Sequence, residues 1–332
     1  MVSDNAESIL KQEVGRYFEL EKESIGPPKI YLGGHLREVQ IDSTTKAWAF
    51  SSTQYVQAAV TNVENYLSKR GEKLRAKASN VLPKDYHPEV DVTEELAHDE
   101  ASYYQSLIGV LRWMVELGRV DITTEVSMMS SHLALPREGH LEALFHMFAY
   151  LKVHHNSEMV FDPSEPDIDM DDFPREDWSL SIYGDAEEEL PPQKPWEESG
   201  PADMPEPGGK SFRLVVYVDC DLGGDLVTRR SRTGFAVFLN GAPIYWMSKK
   251  QTSCEVSTFA SEFTAMKQAL EYVRGLRYKL RMLGIPVNEP AFVYGDNKSV
   301  LANTSVPGST IKKKMNSLSY HFIREGCARD KW

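Results

Sequence analysis

The spacing of apolar residues differs between the two halves of the chain. In the first half, residues 51–71 place apolar side chains three or four positions apart, which predicts an amphipathic helix with Ser51 or Ser52 as its N-cap. The same spacing predicts further helices within SYYQSLIGVLRWMVELGRVDITTEVSMMSSHLAL and GHLEALFHMFAYLKVH. Two short β-like runs, PPKIYLGGHLREVQID and TKAWAF, precede them. The first half is therefore predicted to be mainly helical.

The second half alternates apolar with polar or β-branched residues. Three such runs, FRLVVYVD, TGFAVFLN and APIYWMSK, are separated by glycines or by the Asn240-Gly241 pair, which predicts an antiparallel meander. Residues 258–284 then return to helical spacing up to Gly284 and Pro286. A fourth apolar run, AFVYGDN, is followed by a short and then a longer helical segment. This order predicts a mixed α/β layer.

The net charge of the chain, −12, is concentrated in one segment. Residues 162–206 hold 16 acidic and 2 basic side chains, together with many prolines, which predicts a linker or a loosely packed insertion. Residues 208–332 hold 19 Lys and Arg against 10 Asp and Glu. That surplus suits a phosphate-bearing partner, although many solvated surfaces carry a similar one. The contrast suggests the hypothesis that the acidic segment folds back on the basic region as an internal competitor.

Three carboxylates stand at the ends of predicted elements in the second half. Asp219 closes the first strand, Asp296 closes the fourth, and Glu262 lies near the start of the long helix. If those two strands are neighbours and the helix packs across them, the three carboxylates converge. Convergence requires a cation, because unpaired carboxylates would repel one another and raise their own pKa values. Mg²⁺ suits such an all-oxygen set, and two such ions can support phosphodiester hydrolysis.

The same residues lie within blocks that resemble the RNase H domain of copia-type retrotransposon polyproteins. The blocks are VDCDLGGD, RRSRTGFAVFLNGAPIYWMSKKQ, STFASEFTAMK, VYGDNKSV and SYHFIREG, in the family's order. Upstream, IGPPKIYLGGHL, STQYVQAAVTNVENYL and residues 102–152 resemble the end of the reverse transcriptase palm, the thumb and the connection region. The resemblance therefore covers nearly the whole chain.

This resemblance implies a fold, a division of the chain and a chemistry. It implies a C-terminal RNase H-like mixed sheet with helices, over residues 210–332 and truncated at its end. A mainly helical thumb and connection region over 1–156 and an acidic, Pro-rich linker over 157–209 precede it. The implied activity is hydrolysis of RNA in RNA/DNA hybrids with Mg²⁺ or Mn²⁺, two ions if active, held by Asp219, Glu262 and Asp296. The expected partners are an RNA/DNA hybrid or other nucleic acid and other parts of the polyprotein.

Two departures from the family pattern limit these expectations. The family's polymerase centre includes a Tyr-x-Asp-Asp turn, and this tetrapeptide does not occur in the chain, so DNA synthesis is not expected. The resemblance also implies a fourth acidic ligand three residues before Tyr320. Ser317 stands there, preceded by Asn316, which would be a weak neutral ligand. The chain is further expected to stop within its last helix, which would leave apolar sheet surface uncovered.

Several polar side chains fit two roles from the sequence alone. Asp221 and Asp225 fit solvated turn positions better than direct metal ligands. Asn297 suits either contact with nucleic acid or capping of the next helix. The basic residues near the hairpin turns fit both phosphate contact and plain solvation, whereas the dense lysine run is the stronger candidate for phosphate binding. These candidates are Arg229, Arg230, Arg232, Lys249 and Lys250 near the turns, and Lys312, Lys313 and Lys314 in the run.

Two other classes of function remain open at this stage. The chain could be a catalytically inactive remnant that binds nucleic acid or packs against a partner. An exonuclease or integrase on the same kind of fold would share the acidic residues but would not bring the upstream blocks. The N-terminus lacks a basic region followed by an apolar one, and no apolar run reaches about 18 residues. We therefore expect a cytoplasmic or nuclear protein without a signal peptide, a membrane span or a membrane partner.

Overall fold

The computed structural model describes residues 6–19, 27–183, 201–204, 206–311 and 317–332, and the structural statements below concern these residues. Within them the chain forms a mixed α/β structure with two four-stranded sheets. None of the helices in these ranges combines the length and apolar character that a bilayer span requires.

The first half contains one sheet and a group of helices. The strands form an antiparallel sheet in the order β1-β2-β3-β4. The last strand falls at the start of the range expected to be a linker. The elements are α1 (Ala6–Glu13), β1 (Ile30–Tyr31), β2 (Gly34–Gln40), β3 (Lys46–Ser51), α2 (Thr53–Lys69), α3 (His98–Glu116), α4 (Thr123–Met129), α5 (Glu138–Val153) and β4 (Glu158–Phe161).

The helices of the first half bury the residues that their spacing predicts. Ser52 is the N-cap residue of α2, one of the two predicted caps, and the helix buries a stripe that includes Val56, Val60 and Val63. The stripe packs with buried side chains of α3, α4 and α5 in a single apolar core. The one polar group that Tyr104 brings into this core is satisfied, because its hydroxyl donates to the Met129 carbonyl at 2.7 Å.

The second half contains the predicted meander, long helix and fourth strand. The sheet order is β7-β6-β5-β8, with β5 and β8 parallel and the other pairs antiparallel. The fourth strand therefore lies beside the first, as predicted. Asn240, at the predicted Asn-Gly turn, has a positive φ of 53°. The elements are β5 (Leu214–Asp221), β6 (Arg232–Leu239), β7 (Ala242–Lys250), α6 (Thr258–Met282), β8 (Phe292–Tyr294), α7 (Lys298–Ser305) and α8 (Ser317–Ala328).

The helix α6 covers one face of this second sheet. Val216 and Val218 of β5 belong to the same buried cluster as Phe263 and Met266 of the helix. The helix starts at a defined place because the Ser257 side chain accepts a hydrogen bond from the Ala260 N–H at 3.3 Å. The residues between these valines and after them, Tyr217 and Asp219, alternate with them and lie on the opposite face of β5, which α6 does not cover.

The last helix ends within the chain, contrary to the expectation of a helix cut by the last residue. After Ala328 the chain turns back, and the Lys331 carbonyl accepts a hydrogen bond from the Ala291 N–H at 2.9 Å. The Trp332 indole N–H donates to the Ile323 carbonyl at 2.9 Å, and its ring lies 5.4 Å from that of Phe322. An aromatic side chain thus covers apolar surface beside the helix.

The described part of the acidic segment packs against the second sheet. Residues 162–183, here called the strap, begin at the β6–β7 turn, where Asp162 forms an isolated antiparallel bridge with Gly241. Further along, Ile168 is buried against Val215 and Phe292. Local hydrophobic side chains therefore hold an otherwise acidic segment on the sheet.

Helix α4 and the nearby loops join the two halves. Arg232, at the start of β6, donates through Nη1 to the Ser127 Oγ of α4 at 2.7 Å. The Leu226 N–H, in the loop after β5, donates to the Glu89 carboxylate at 2.9 Å. These contacts fix the β5–β6 loop against the helical half.

Candidate metal centre and nucleic-acid interface

The three predicted carboxylates lie together near the C-terminal ends of the adjacent parallel strands β5 and β8. Asp219, Glu262 and Asp296 each offer one oxygen, and these oxygens all lie within 4.8 Å of one another. Asp219 and Asp296 are exposed, whereas Glu262 is buried with 6% of its surface accessible. The convergence expected from the sequence is therefore found.

The strand register explains why the two aspartates meet. Tyr217 of β5 pairs directly with Tyr294 of the parallel strand β8. Asp219 and Asp296 each follow two residues later, at the same end of the two strands. Asp219 does not close β5 as expected, because it still pairs with Gly234 and the strand continues to Asp221, whereas Asp296 lies just beyond β8. Glu262 is the fifth residue of α6, and the packing of that helix across β5 brings its carboxylate to the two others.

The electrostatics of Glu262 distinguish the cluster from an ordinary polar surface. Burial raises the pKa of Glu262 to about 7, and the charges of Asp219 and Asp296 add to the effect. Within the described ranges, no cationic side chain contributes to this shift. A buried carboxylate beside two others and without a compensating charge is stabilised by a bound cation.

The donor set suits a hard divalent ion. All three side chains offer carboxylate oxygens, and the set contains no thiolate or imidazole, so it fits Mg²⁺ or Mn²⁺ better than zinc. Part of the Asp219 carboxylate already has a partner, because its Oδ1 accepts the Cys220 N–H at 2.7 Å. That bond fixes the side chain and leaves the other oxygen available.

The next two acidic residues of the turn differ from the cluster. Asp225 forms an ion pair with Lys250 at 2.8 Å and accepts the Thr228 N–H at 2.6 Å. Burial acts to raise the pKa of Asp225, but these hydrogen bonds outweigh it and hold that pKa below its usual range. Asp221 is exposed and lies outside the three-residue cluster. Asp221 is the last residue of β5, paired with Arg232, and Asp225 is largely buried, so neither is the solvated turn residue that the sequence suggested.

The predicted basic residues gather around the turn between β5 and β6. Arg232 and Lys250 are cross-strand partners, and each has a protein partner, Ser127 and Asp225 respectively. Arg229, Arg230 and Lys249 are exposed. A role of these residues in phosphate contact remains a prediction, and the exposed three are the ones that could reach a ligand without breaking an existing bond.

The other candidates divide between described and undescribed positions. The Asn297 side chain caps α7 by accepting the N–H groups of Ser299 and Val300, each at 3.1 Å, which accounts for it structurally. Ser317 is the first residue of α8. The remaining candidates lie outside the described residues: Lys312, Lys313, Lys314 and Asn316.

Residues that the sequence did not suggest also border the site. A cavity of about 180 Å³ lies between the two halves, and its lining includes Asp219, Arg230, Glu89 and His132. Burial, with His140 and Lys250 nearby, lowers the pKa of His132 to about 4. The first half thus contributes to the surroundings of Asp219. No local signal predicts this, because the contributing residues lie about 90 to 130 positions upstream.

Comparisons with known proteins show where the chain has relatives. No protein-family model matches it, and no solved structure matches it. It is 22% identical over 316 residues, 95% of this chain and 20% of the relative, to the retrovirus-related Pol polyprotein from transposon TNT 1-94 of Nicotiana tabacum. In Arabidopsis thaliana, the corresponding polyprotein from transposon RE1 is 24% identical over 67% of this chain and 12% of its own length. That from transposon RE2 is 31% identical over 35% of this chain and 8% of its own length.

These relatives confirm the resemblance drawn from the sequence. They are Pol polyproteins of plant copia-type transposons, at modest identity over much of the chain. The chain spans a fifth or less of the length of each of them.

Proposed function

We propose that this chain is a retrotransposon-derived fragment whose second half is an RNase H-like unit that hydrolyses RNA in RNA/DNA hybrids with Mg²⁺. The observation that carries the proposal is the meeting of three carboxylates within 4.8 Å at the edge of the second sheet. The relatives support the retrotransposon origin at the level of the whole polyprotein. The nuclease activity is our inference from the cluster and from the resemblance of its blocks.

The topology supports the same proposal. Three antiparallel strands, a crossing helix and a fourth strand parallel to the first form the arrangement that the resemblance implies. The strand order puts the two aspartates on adjacent parallel strands, and α6 supplies the glutamate. Such an arrangement requires all of these elements, so it supports the RNase H-like fold better than an acidic cluster alone would.

Asp219, Glu262 and Asp296 would hold the metal. When bound, Mg²⁺ would supply an activated water and stabilise the leaving oxygen of a phosphodiester. The chain's own residues would orient the site: the Cys220 N–H fixes Asp219, and α6 holds Glu262 in its buried position. The exposed Arg229, Arg230 and Lys249 would bind phosphates of the substrate.

DNA synthesis is not part of the proposal. A Tyr-x-Asp-Asp tetrapeptide is absent from the sequence. The first half instead serves in this proposal as a support, because its contacts from Ser127 and Glu89 fix the β5–β6 loop.

A second candidate function is a catalytically inactive remnant that binds nucleic acid or packs against a partner. The observation that favours it is Ser317, which stands where the resemblance implies a fourth acid. A missing fourth carboxylate would weaken the second metal position and slow turnover without preventing binding.

Hydrolysis of a labelled RNA/DNA hybrid discriminates between the two functions. The wild-type chain is compared with Asp296→Asn in Mg²⁺ and in Mn²⁺, and a DNA duplex and a single-stranded RNA serve as substrate controls. We expect cleavage of the RNA strand of the hybrid by the wild type and its loss in the variant. No cleavage by a wild type that circular dichroism shows to be folded would contradict the nuclease and favour the remnant.

A further inference from the structure

A group of aromatic side chains lies on the sheet face that α6 leaves uncovered. The rings of Tyr217 and Tyr294 are stacked, with centroids 5.1 Å apart and planes within 14°. Phe238 of β6 meets Tyr217 edge-on, with centroids 5.7 Å apart. Tyr217 is 51% exposed although it lies in an inner strand of the sheet. An exposed and preformed ring at that position is unusual for a packed sheet.

This aromatic surface adjoins the carboxylate cluster. Tyr217 precedes Asp219 by two residues, and Tyr294 precedes Asp296 by two. Tyr217 and Asp219 both lie within β5, and residues i and i+2 of a strand share a face and lie about 7 Å apart. Asp296 lies just beyond β8, which ends at Tyr294. A nucleotide whose phosphate reaches the carboxylates would therefore have the stacked tyrosines within reach of a neighbouring base.

The strap already uses part of the surface. The Phe173 ring lies edge-on to both Tyr294 and Phe292, with centroids 5.1 Å apart in each case. Asp172 and Phe173 line one cavity together with Phe292 and Tyr294. Asp169 is held in the turn just before them, because its carboxylate accepts the Asp171 N–H at 3.0 Å. An aromatic ring preceded by two carboxylates combines an aromatic and an anionic group, as a base and its backbone phosphates do.

We propose that Tyr217, Phe238 and Tyr294 form a stacking surface for an unpaired base of a nucleic-acid strand, and that the strap competes for it through Phe173, Asp169 and Asp172. The proposal rests on the nuclease function proposed above, which it extends by naming how the strand is held. Aromatic stacking tolerates any base, so the surface contributes affinity and not sequence preference.

The strap is fastened on both sides of Phe173, so its middle can be changed while its ends stay in place. At one end Asp162 bridges to Gly241. At the other end the Arg324 guanidinium of α8 lies over the Trp178 ring, 4.8 Å from its centroid. Substitutions at Phe173, Asp169 and Asp172 therefore leave both attachments intact.

Binding without turnover tests the stacking surface. Fluorescence anisotropy of a labelled single-stranded DNA oligonucleotide is measured in EDTA for wild type, Tyr217→Ala, Tyr217→Phe and Tyr31→Ala. Tyr31 is 61% exposed in β1 and serves as the matched control. We expect about tenfold weaker binding for Tyr217→Ala, because one base loses its stacking partner, and wild-type binding for the other two.

An oligonucleotide with abasic positions tests the same surface without changing the protein. It keeps the phosphates and lacks the bases, so we expect it to bind the wild type about tenfold more weakly and to be insensitive to Tyr217→Ala. Equal binding of the two oligonucleotides, or equal binding by Tyr217→Ala and wild type, would overturn the proposal. Absence of any oligonucleotide binding by the folded wild type would overturn it as well.

The strap is tested by removing its competing groups. The triple variant Phe173→Ala, Asp169→Asn, Asp172→Asn is expected to bind the oligonucleotide about three- to tenfold more tightly than wild type, most clearly at low salt. The matched control is Asp203→Asn with Glu206→Gln, which also removes two negative charges but from exposed positions outside the strap. Equal tightening in both variants would reduce the effect to net charge and contradict competition for the surface.

Failure of the nuclease and failure of the stacking surface give different results. Asp296→Asn is expected to lose cleavage in Mg²⁺ and to bind the oligonucleotide in EDTA at least as tightly as wild type, because the substitution removes a negative charge. If oligonucleotide binding depends on Tyr217 but neither the wild type nor any variant cleaves the hybrid, the stacking surface is supported and the nuclease function is contradicted. If the wild type cleaves the hybrid and Tyr217→Ala binds the oligonucleotide as tightly as the wild type, the nuclease function is supported and the stacking surface is contradicted.

Discussion

The first sheet pairs acidic with basic side chains, whereas three acidic side chains gather at the ends of two strands of the second sheet. In the first sheet, Arg37 of β2 donates to both oxygens of Glu158 of β4, at 2.7 and 2.5 Å, and Lys46 pairs with Glu38 at 2.9 Å. At the ends of β5 and β8, three carboxylates lie together, and no cation of the described residues contributes to the pKa shift of Glu262. Paired charges stabilise a surface, whereas like charges held together by the fold indicate a ligand that supplies the opposite charge.

The same contrast occurs within the second sheet. Asp225 pairs with Lys250, and the resulting hydrogen bonds hold the pKa of Asp225 below its usual range. Glu262 has no such partner among the groups that shift it, and burial raises its pKa to about 7. The pKa values of these two carboxylates beside one sheet therefore shift in opposite directions, because Asp225 has a cationic partner whereas the charged groups of the described residues that act on Glu262 are carboxylates.

The largest expected effect comes from breaking the cluster. Asp219→Asn should lower cleavage of an RNA/DNA hybrid by on the order of a thousandfold, because it removes a metal ligand and its charge stabilisation. Initial rates at saturating Mg²⁺ provide the measurement. Glu158→Gln, which removes a paired carboxylate of the first sheet, is the matched control and should cleave at the wild-type rate. Equal losses in both variants would mean that the cluster has no special role.

Removing the cation from a paired carboxylate should cost stability and leave the cluster intact. Lys250→Met leaves Asp225 largely buried without its partner, and we expect the free energy of unfolding to fall by about 1 to 3 kcal/mol. Urea denaturation followed by circular dichroism measures it. A variant as stable as wild type would show that the pair is only a surface contact.

The pH dependence of Glu262 has a defined sign. Its pKa of about 7 lies above the ordinary value, so the folded state retains a proton that the unfolded chain releases. Stability contributed by this group is present at low pH and is lost as the pH rises toward 7. In EDTA, the free energy of unfolding of Glu262→Gln should therefore rise by about 1 to 2 kcal/mol relative to that of the wild type as the pH increases from 5 to 8.

Urea denaturation of Glu262→Gln and wild type across this pH range provides the test. Saturating Mg²⁺ should reverse the difference at pH 8, because the wild type binds the ion and the variant loses a ligand. A constant difference between the two proteins from pH 5 to pH 8 would contradict the raised pKa.

The smallest effect is expected in the first sheet. Arg37→Met breaks an exposed ion pair, so the free energy of unfolding should fall by no more than about 1 kcal/mol. Salt should reduce the difference between variant and wild type, since screening weakens exposed pairs. A loss several times larger, measured by urea denaturation, would mean that this pair is structurally more important than its exposure indicates.

The sequence predicted the parts of the fold that have a regular period. The helix expected over 258–284 is observed as Thr258–Met282, and the fourth strand lies beside the first. The cluster of Asp219, Glu262 and Asp296 also followed, because each residue lies near the end of an element whose type could be predicted. Period and position along an element are local properties, so they can be taken from the sequence.

The parts that were missed depend on contacts between distant and irregular segments. The strap has no helical or strand period, so nothing local indicates that Ile168 and Phe173 pack on the second sheet. His132 borders the cavity beside Asp219 because α4 packs against the second half. After the last helix the chain turns back, and the Trp332 indole N–H donates to the Ile323 carbonyl. Each of these depends on tertiary packing, which sequence periodicity does not encode.

The most direct test of the central claim is the binding of a divalent ion by the three carboxylates. Isothermal titration of Mn²⁺ into the folded chain at pH 8 should give saturable binding in the wild type and at least tenfold weaker binding in Asp296→Asn, with Glu158→Gln unchanged. Equal binding by all three proteins, or no binding by the wild type, would contradict the claim that this cluster is a metal centre.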